Sequence, residues 1–225
     1  METTSPAAER NKEPILNVLK EIIRGSHKRL LEVGAGNGQH AIYLAPHFPH
    51  MQWTASERGE YMVHLNRRIQ EGHVPNLTPP FKLEIGVDDF PKFTFDIILT
   101  INTFHIMHWK EVKTFIKVSA GRLQEGGKVV IYGAFNYGGQ FTAPSNEAFD
   151  KSLKEQDPLR GIRNFEDVVG AFEKNGFALA DDFEMPSNNR MLVFTRLKHV
   201  STPKVKSSGS SGGGGKPTNK IPSRR

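Results

Sequence analysis

The chain has 225 residues, 37% hydrophobic and 24% charged, which suits one globular domain with a sizeable core. Its formal charge of +6 belongs to the C-terminal end: seven of the 30 basic residues lie in 198–225 without an acid among them, leaving 23 against 24, a net −1, for residues 1–197. Cysteine is absent, which excludes disulfides and a thiolate nucleophile. No apolar run reaches the roughly 18 residues of a membrane span, and Met1-Glu2-Thr3-Thr4 lacks the basic and apolar regions of a secretory signal. The expected setting is cytoplasmic, or nuclear as well.

From the N-terminus, Ile15, Leu16, Val18, Leu19, Ile22 and Ile23 recur at helical spacing, with Asn11 as a cap, Pro14 in the first turn and Gly25 as a stop. A short buried strand over 30–33 leads through a glycine cluster into a helix over 38–45. A strand over 52–56 precedes a helix over 60–70, and further strands are expected at 81–85 and 95–102. Val112, Phe115, Ile116, Ala120 and Leu123 line one helix face, which Gly126-Gly127 should end. A strand over 128–132 follows, then an insert over 141–163 and a helix over 165–174. Strands over 177–183 and 191–195 close a hairpin around Pro186-Ser187-Asn188-Asn189.

This alternation predicts an α/β, doubly wound, mainly parallel sheet with helices on both faces and right-handed crossovers. The domain should span 1–200. Residues 201–225, rich in Gly, Ser, Lys and Pro and nearly free of apolar residues, read as a disordered tail.

In such sheets ligands collect at the carboxyl ends of the strands. The first turn reads Glu32-Val33-Gly34-Ala35-Gly36-Asn37-Gly38-Gln39. A dinucleotide fingerprint, G-x-G-x-x-G, would need a third glycine where Gln39 stands. The spacing is instead E-x-G-x-G-x-G, and an acid two residues before the first glycine suits an ammonium group better than a pyrophosphate. Glu57, 19 residues beyond Gly38 at the end of the second strand, can accept two hydrogen bonds from a ribose diol. Asp88 and Asp89, with Glu84 as a competitor, are candidates for an adenine amino group. Together these residues describe an S-adenosylmethionine site.

The fourth strand ends in Asn102-Thr103-Phe104-His105-Ile106-Met107-His108-Trp109. No Asn-Pro-Pro-Tyr or Asp-Pro-Pro-Tyr run occurs there, which argues against methylation of DNA adenine or glutamine. Methyl transfer needs alignment above all, and a base only where the acceptor must lose a proton. His105 is the candidate base by position, with packing as its alternative role. No histidine shows metal-ligand spacing with carboxylates, so no metal is expected. The rival readings are a non-catalytic protein that keeps the cofactor pocket and acts through partners, and a nicotinamide-dependent oxidoreductase, which Gln39 weakens.

The turn at 32–38 with Glu57 resembles class I S-adenosylmethionine-dependent methyltransferases. Residues 7–16, residues 36–41, the set Ser145, Asn146, Phe149, Asp150, Pro158, Gly161 and Arg163, and residues 185–189 are more specifically similar to the methyltransferase-like protein 26 family. The resemblance spans about residues 5–197. It implies a Rossmann-like seven-stranded sheet of order 3-2-1-4-5-7-6 with strand 7 antiparallel. It also implies a donor site on Glu32, Gly34, Gly36, Glu57 and the loop after strand three, and Ala35, Gly38, Asp88 and Asn102 complete the candidate cofactor contacts. Arg10, Asn146 and Arg163 are the candidate contacts to an unidentified methyl acceptor. Members often carry Trp in the stretch before the Gly-x-Arg, where this chain has Leu159-Arg160. No membrane association is expected, and the near-neutral body argues against a nucleic-acid partner.

Overall fold

The computed structural model describes residues 4–198; the expected tail lies outside the described residues. Seven strands form one sheet: β1 (Arg29–Val33), β2 (Gln52–Glu57), β3 (Leu77–Lys82), β4 (Phe95–Ile101), β5 (Leu123–Gly133), β6 (Phe177–Met185) and β7 (Asn189–Arg196). Their order is β3-β2-β1-β4-β5-β7-β6. The first five run parallel, and β7 is antiparallel to both β5 and β6. This is the expected Rossmann-like topology. A two-residue ladder, Phe135–Asn136 against Arg163–Asn164, stands apart from the sheet.

Side-chain alternation along the strands feeds two cores. On one face Leu30, Trp53, Leu99 and Val130 pack against α1 (Pro6–Ile22), α2 (Gln39–Leu44) and α3 (Met62–Gly72). On the other, Leu31, Ile98, Val129 and Phe194 meet α4 (Trp109–Arg122) and α6 (Phe165–Glu173). Helix α5 (Pro144–Gln156) lies within the insert. Among the described residues no helix is long and apolar enough to cross a membrane.

The main differences from expectation each have a local reason. Helix α1 begins at Pro6 under a Ser5 cap, whose Oγ accepts from the Ala8 N–H at 3.4 Å, so Asn11 and Pro14 lie inside the helix. Strand β3 runs 77–82 through Pro79-Pro80; it is an edge strand, where missing N–H donors are tolerated. That leaves Leu83 and Ile85 beyond the strand end. Helix α4 stops at Arg122, and Gly126-Gly127 lie in the irregular opening of β5, where the pairing jumps from Leu123 to Lys128. Helix α5 buries Asn146, Asp150 and Leu153, so two of the three buried positions are polar and no apolar period marks it.

Candidate functional site

At the carboxyl ends of β1, β2 and β4 the surface opens into a cavity of about 1720 Å³, above the roughly 300–1,000 Å³ of an ordinary small-molecule pocket. Its floor is the turn Gly34-Ala35-Gly36. Glu57 forms one side, Leu83 and Ile85 lie beyond it, and Asn102 and Thr103 close the other side. The N-terminal segment and first turn of α1 form part of the wall, from Thr4 to Glu9.

The turn depends on glycine. Gly34 has φ +74°, and a Cβ there would come within 2.4 Å of Thr103 Cγ2. Gly36 has φ +58°, and its absent Cβ would meet nothing within 4 Å, so its backbone is bare toward the cavity. Glu57 pins the turn from the side. Its Oε2 accepts from the Gly36 N–H at 2.6 Å and its Oε1 from the Arg58 N–H at 2.8 Å. Each carboxylate oxygen retains further acceptor capacity, and the side chain borders the cavity.

Glu32 is placed differently from expectation. Its side chain follows Leu30 onto the α1–α3 face, it is only 1% exposed, and its Oε2 accepts from Trp53 Nε1 at 2.9 Å. It is not part of the cavity wall, so it makes no direct contact with an ammonium there. Burial, partly offset by the Trp53 hydrogen bond and reinforced by nearby Glu57, pushes its carboxyl up to about 7. An unfolded-state glutamate titrates near 4.3, so the native state holds the extra proton between these values. The stabilisation is complete below the unfolded value and is lost as pH rises through about 7. Glu32→Gln is therefore expected to flatten the fall in melting temperature between pH 5 and 8, and to be up to about 3 kcal/mol more stable than wild type at pH 8. Parallel pH profiles for the two proteins would refute this.

Gln39, the residue that breaks the dinucleotide pattern, fastens α1 to α2. Its Oε1 accepts from the Ser5 N–H at 2.9 Å, and its Nε2 donates to Glu9 Oε1 at 2.8 Å. Two residues further along α1, His40 Nε2 donates to Asn11 Oδ1 at 2.8 Å. Burial holds the His40 imidazole down to about 4, so it is neutral at physiological pH. The start of α2 is thus covered by α1 and faces the Glu9 carboxylate, and the Gln39 N–H is already taken by Asn37 Oδ1 at 3.1 Å. Sequence spacing shows the missing glycine at 39; that the glutamine serves as a latch is visible only in three dimensions.

Of the remaining sequence candidates, Ala35 and Asn102 line the cavity. Asn102 leaves β4 with φ +57°, its N–H donating to Tyr132 O at 2.8 Å. Gly38 lies outside the lining, where a Cβ would press on Leu65 Cδ1 at 2.9 Å, so its role is packing. Asp88 folds back on its own loop: Oδ2 accepts from the Glu84 N–H at 2.8 Å and Oδ1 from Lys82 Nζ at 3.3 Å. Asp88, Asp89 and Glu84 are all absent from the lining, and the third-strand loop presents apolar Leu83 and Ile85 instead.

His105, the candidate base, is 5% exposed, with its ring edge-to-face on Phe149 at 5.0 Å, and it does not line the cavity. Burial, with the Arg163 charge adding to it, lowers its imidazole to about 4. None of the three acceptor candidates lines the cavity. Arg10 is exposed and outside the lining. Asn146 Nδ2 donates to Thr142 Oγ1 at 2.8 Å and Asn188 O at 3.2 Å. Arg163 spends its guanidinium on the carbonyls of Phe104, Met107 and Leu159. Its neighbour Arg160, which the sequence did not single out as a contact, does reach the cavity, beside Ile106 and Met107.

The fold is shared with solved methyltransferases. An O-methyltransferase family protein from Burkholderia thailandensis aligns with TM-score 0.72 at 13% identity, over 84% of this chain and 57% of its own. The S-adenosylmethionine-dependent methyltransferase SibL in its apo form aligns at 0.71 and 19% identity, over 85% and 56%. PigF with SAH aligns at 0.70 and 13%, over 81% and 55%. The chain thus spans little more than half the length of each. At these identities the likeness is one of fold. Membership is shown by sequence: matching over residues 2–196, the chain belongs to the family described as protein of unknown function (DUF938).

Proposed function

We propose that this chain is an S-adenosylmethionine-dependent methyltransferase of the methyltransferase-like protein 26 kind. Its acceptor is a small molecule or a protein rather than DNA, and its setting is the cytoplasm. One observation carries the reading: an open glycine turn and a carboxylate fixed at the end of the neighbouring strand border the same cavity. The residues fit the cofactor. Gly36 leaves space where a side chain would stand, Glu57 offers acceptors for a sugar diol, and Leu83 with Ile85 form an apolar wall suited to a purine. Ala35 and Asn102 flank the end where the amino-acid part belongs. The structural neighbours named as S-adenosylmethionine-dependent, or solved with SAH, are consistent with this.

When bound, S-adenosylmethionine supplies an electrophilic methyl group on a sulfonium centre. The chain's contribution is to bind, orient and exclude water. The first turn of α1, held by Gln39, covers the cavity, and the loop after β4 faces the acceptor side. His105 has no part as a base in this reading, because it is buried off the cavity and holds a proton only weakly. A nicotinamide dinucleotide fits less well: the α2 start that would receive its pyrophosphate lies under α1 and next to Glu9.

Incubation with methyl-labelled S-adenosylmethionine and fractionated cell extract tests the proposal. Label is expected in a small-molecule or protein pool. A protein that holds S-adenosylhomocysteine yet labels nothing is a non-catalytic cofactor-binding protein, and label in DNA would overturn the acceptor half.

A further inference from the structure

Arg160 stands in the cavity wall without a hydrogen-bonded carboxylate. Its Nη1 donates to Gln156 Oε1 at a long 3.3 Å, and its Nε is buried without a hydrogen bond. The carboxylate paired with it, Asp157, stays 3.9 Å away, beyond hydrogen-bond reach. Asp157 is also committed elsewhere: Oδ2 pairs with His108 Nε2 at 2.7 Å and Oδ1 accepts from the Leu159 N–H at 2.9 Å. Glu111, also in the lining, spends Oε2 on the His108 N–H at 2.6 Å, closing the first turn of α4. The nearby acids therefore leave the guanidinium without a bonded carboxylate.

The segment carrying Arg160 is rigidly placed. The Gly161 N–H donates to His105 O at 2.9 Å, the Ile162 N–H to Asp150 Oδ1 at 2.8 Å, and Arg163 bonds two carbonyls of the loop after β4, Phe104 and Met107, and that of Leu159 on its own segment. Beside these polar neighbours the same wall carries apolar side chains. Ile106 and Met107 line the cavity, and Ile106 and Leu159 are exposed, at 39% and 61%. A partly buried guanidinium on a fixed backbone, with aliphatic side chains in the same cavity wall, recognises a planar oxyanion on an apolar body.

We infer that the methyl acceptor is a small carboxylate-bearing molecule with an apolar body, and that Arg160 binds its carboxylate. The inference rests on the methyltransferase reading for the word acceptor, but binding of the acid does not depend on turnover. The first arm measures thermal stabilisation of the S-adenosylhomocysteine-saturated protein by phenylacetate and by its uncharged amide. Wild type should bind the acid at least about tenfold more tightly, and Arg160→Gln should abolish the preference. Arg160→Lys should retain part of it. Equal binding of acid and amide, or a preference that survives in Arg160→Gln, overturns the inference.

The second arm divides methyl-labelled small molecules by anion exchange. Label in the retained pool, cut at least about tenfold by Arg160→Gln, supports the inference. Label confined to the unretained pool, or to protein, overturns it while methyl transfer stands. Acid preference without any methyl transfer supports the acid site and overturns the enzymatic reading.

Discussion

Glu57→Ala is expected to lower affinity for S-adenosylhomocysteine about a hundredfold or more, measured by calorimetry. Two effects combine. The substitution removes the carboxylate that borders the cavity, and two hydrogen bonds to a charged acceptor account for roughly 3 kcal/mol or more. It also strands the Gly36 and Arg58 N–H groups, which now end on Oε2 and Oε1. The freed turn should cost about 1–3 kcal/mol of stability, so melting temperature must be recorded alongside affinity. Glu57→Gln keeps one acceptor oxygen and should fall between the two. A folded Glu57→Ala protein with wild-type affinity would remove Glu57 from the site.

Gly34→Ala should be the more damaging change to the fold. At φ +74° the alanine pays a backbone cost of about 1–2 kcal/mol, and its Cβ at 2.4 Å from Thr103 Cγ2 adds overpacking of about 1–3 kcal/mol. For a domain of this size that sum lowers the melting temperature by roughly 4–20 °C. Thr103→Ser removes the clashing methyl while keeping the hydroxyl that bonds Thr100, so the double variant should recover part of the loss. Gly36→Ala provides the contrast. Its Cβ meets no protein atom, so the stability cost should be the backbone part alone, whereas ligand affinity should fall sharply because the methyl points into the cradle. Wild-type melting behaviour in Gly34→Ala would show that the turn tolerates a side chain.

Legibility in the sequence followed the physical source of each signal. The parallel sheet and the β6–β7 hairpin came through in apolar runs and turn residues, whereas the strand order came from the resemblance alone. Glycine spacing revealed the turn, and distance along the chain revealed Glu57. Side-chain direction was not legible at Glu32: one step of strand alternation sends it under the sheet to Trp53 rather than up to the cavity. Nor was it legible at Asp88, which turns back on its own loop, or at Arg163, which bonds the loop after β4; neither lines the cavity. Helix α5 was silent because its inner face is built on Asn146 and Asp150. Arg160 was legible only as a departure, with Leu159, from the Trp that members of the similar family often carry there; the bracing of residues 161–163 brings it to the cavity wall.

The most direct test of the whole reading is a crystal structure of the protein with S-adenosylhomocysteine. The expected result is a ligand lying along Gly34–Gly36, with its sugar hydroxyls on Glu57 and its purine against Leu83 and Ile85. A saturated crystal in which the ligand avoids the turn and Glu57 meets no sugar would contradict it.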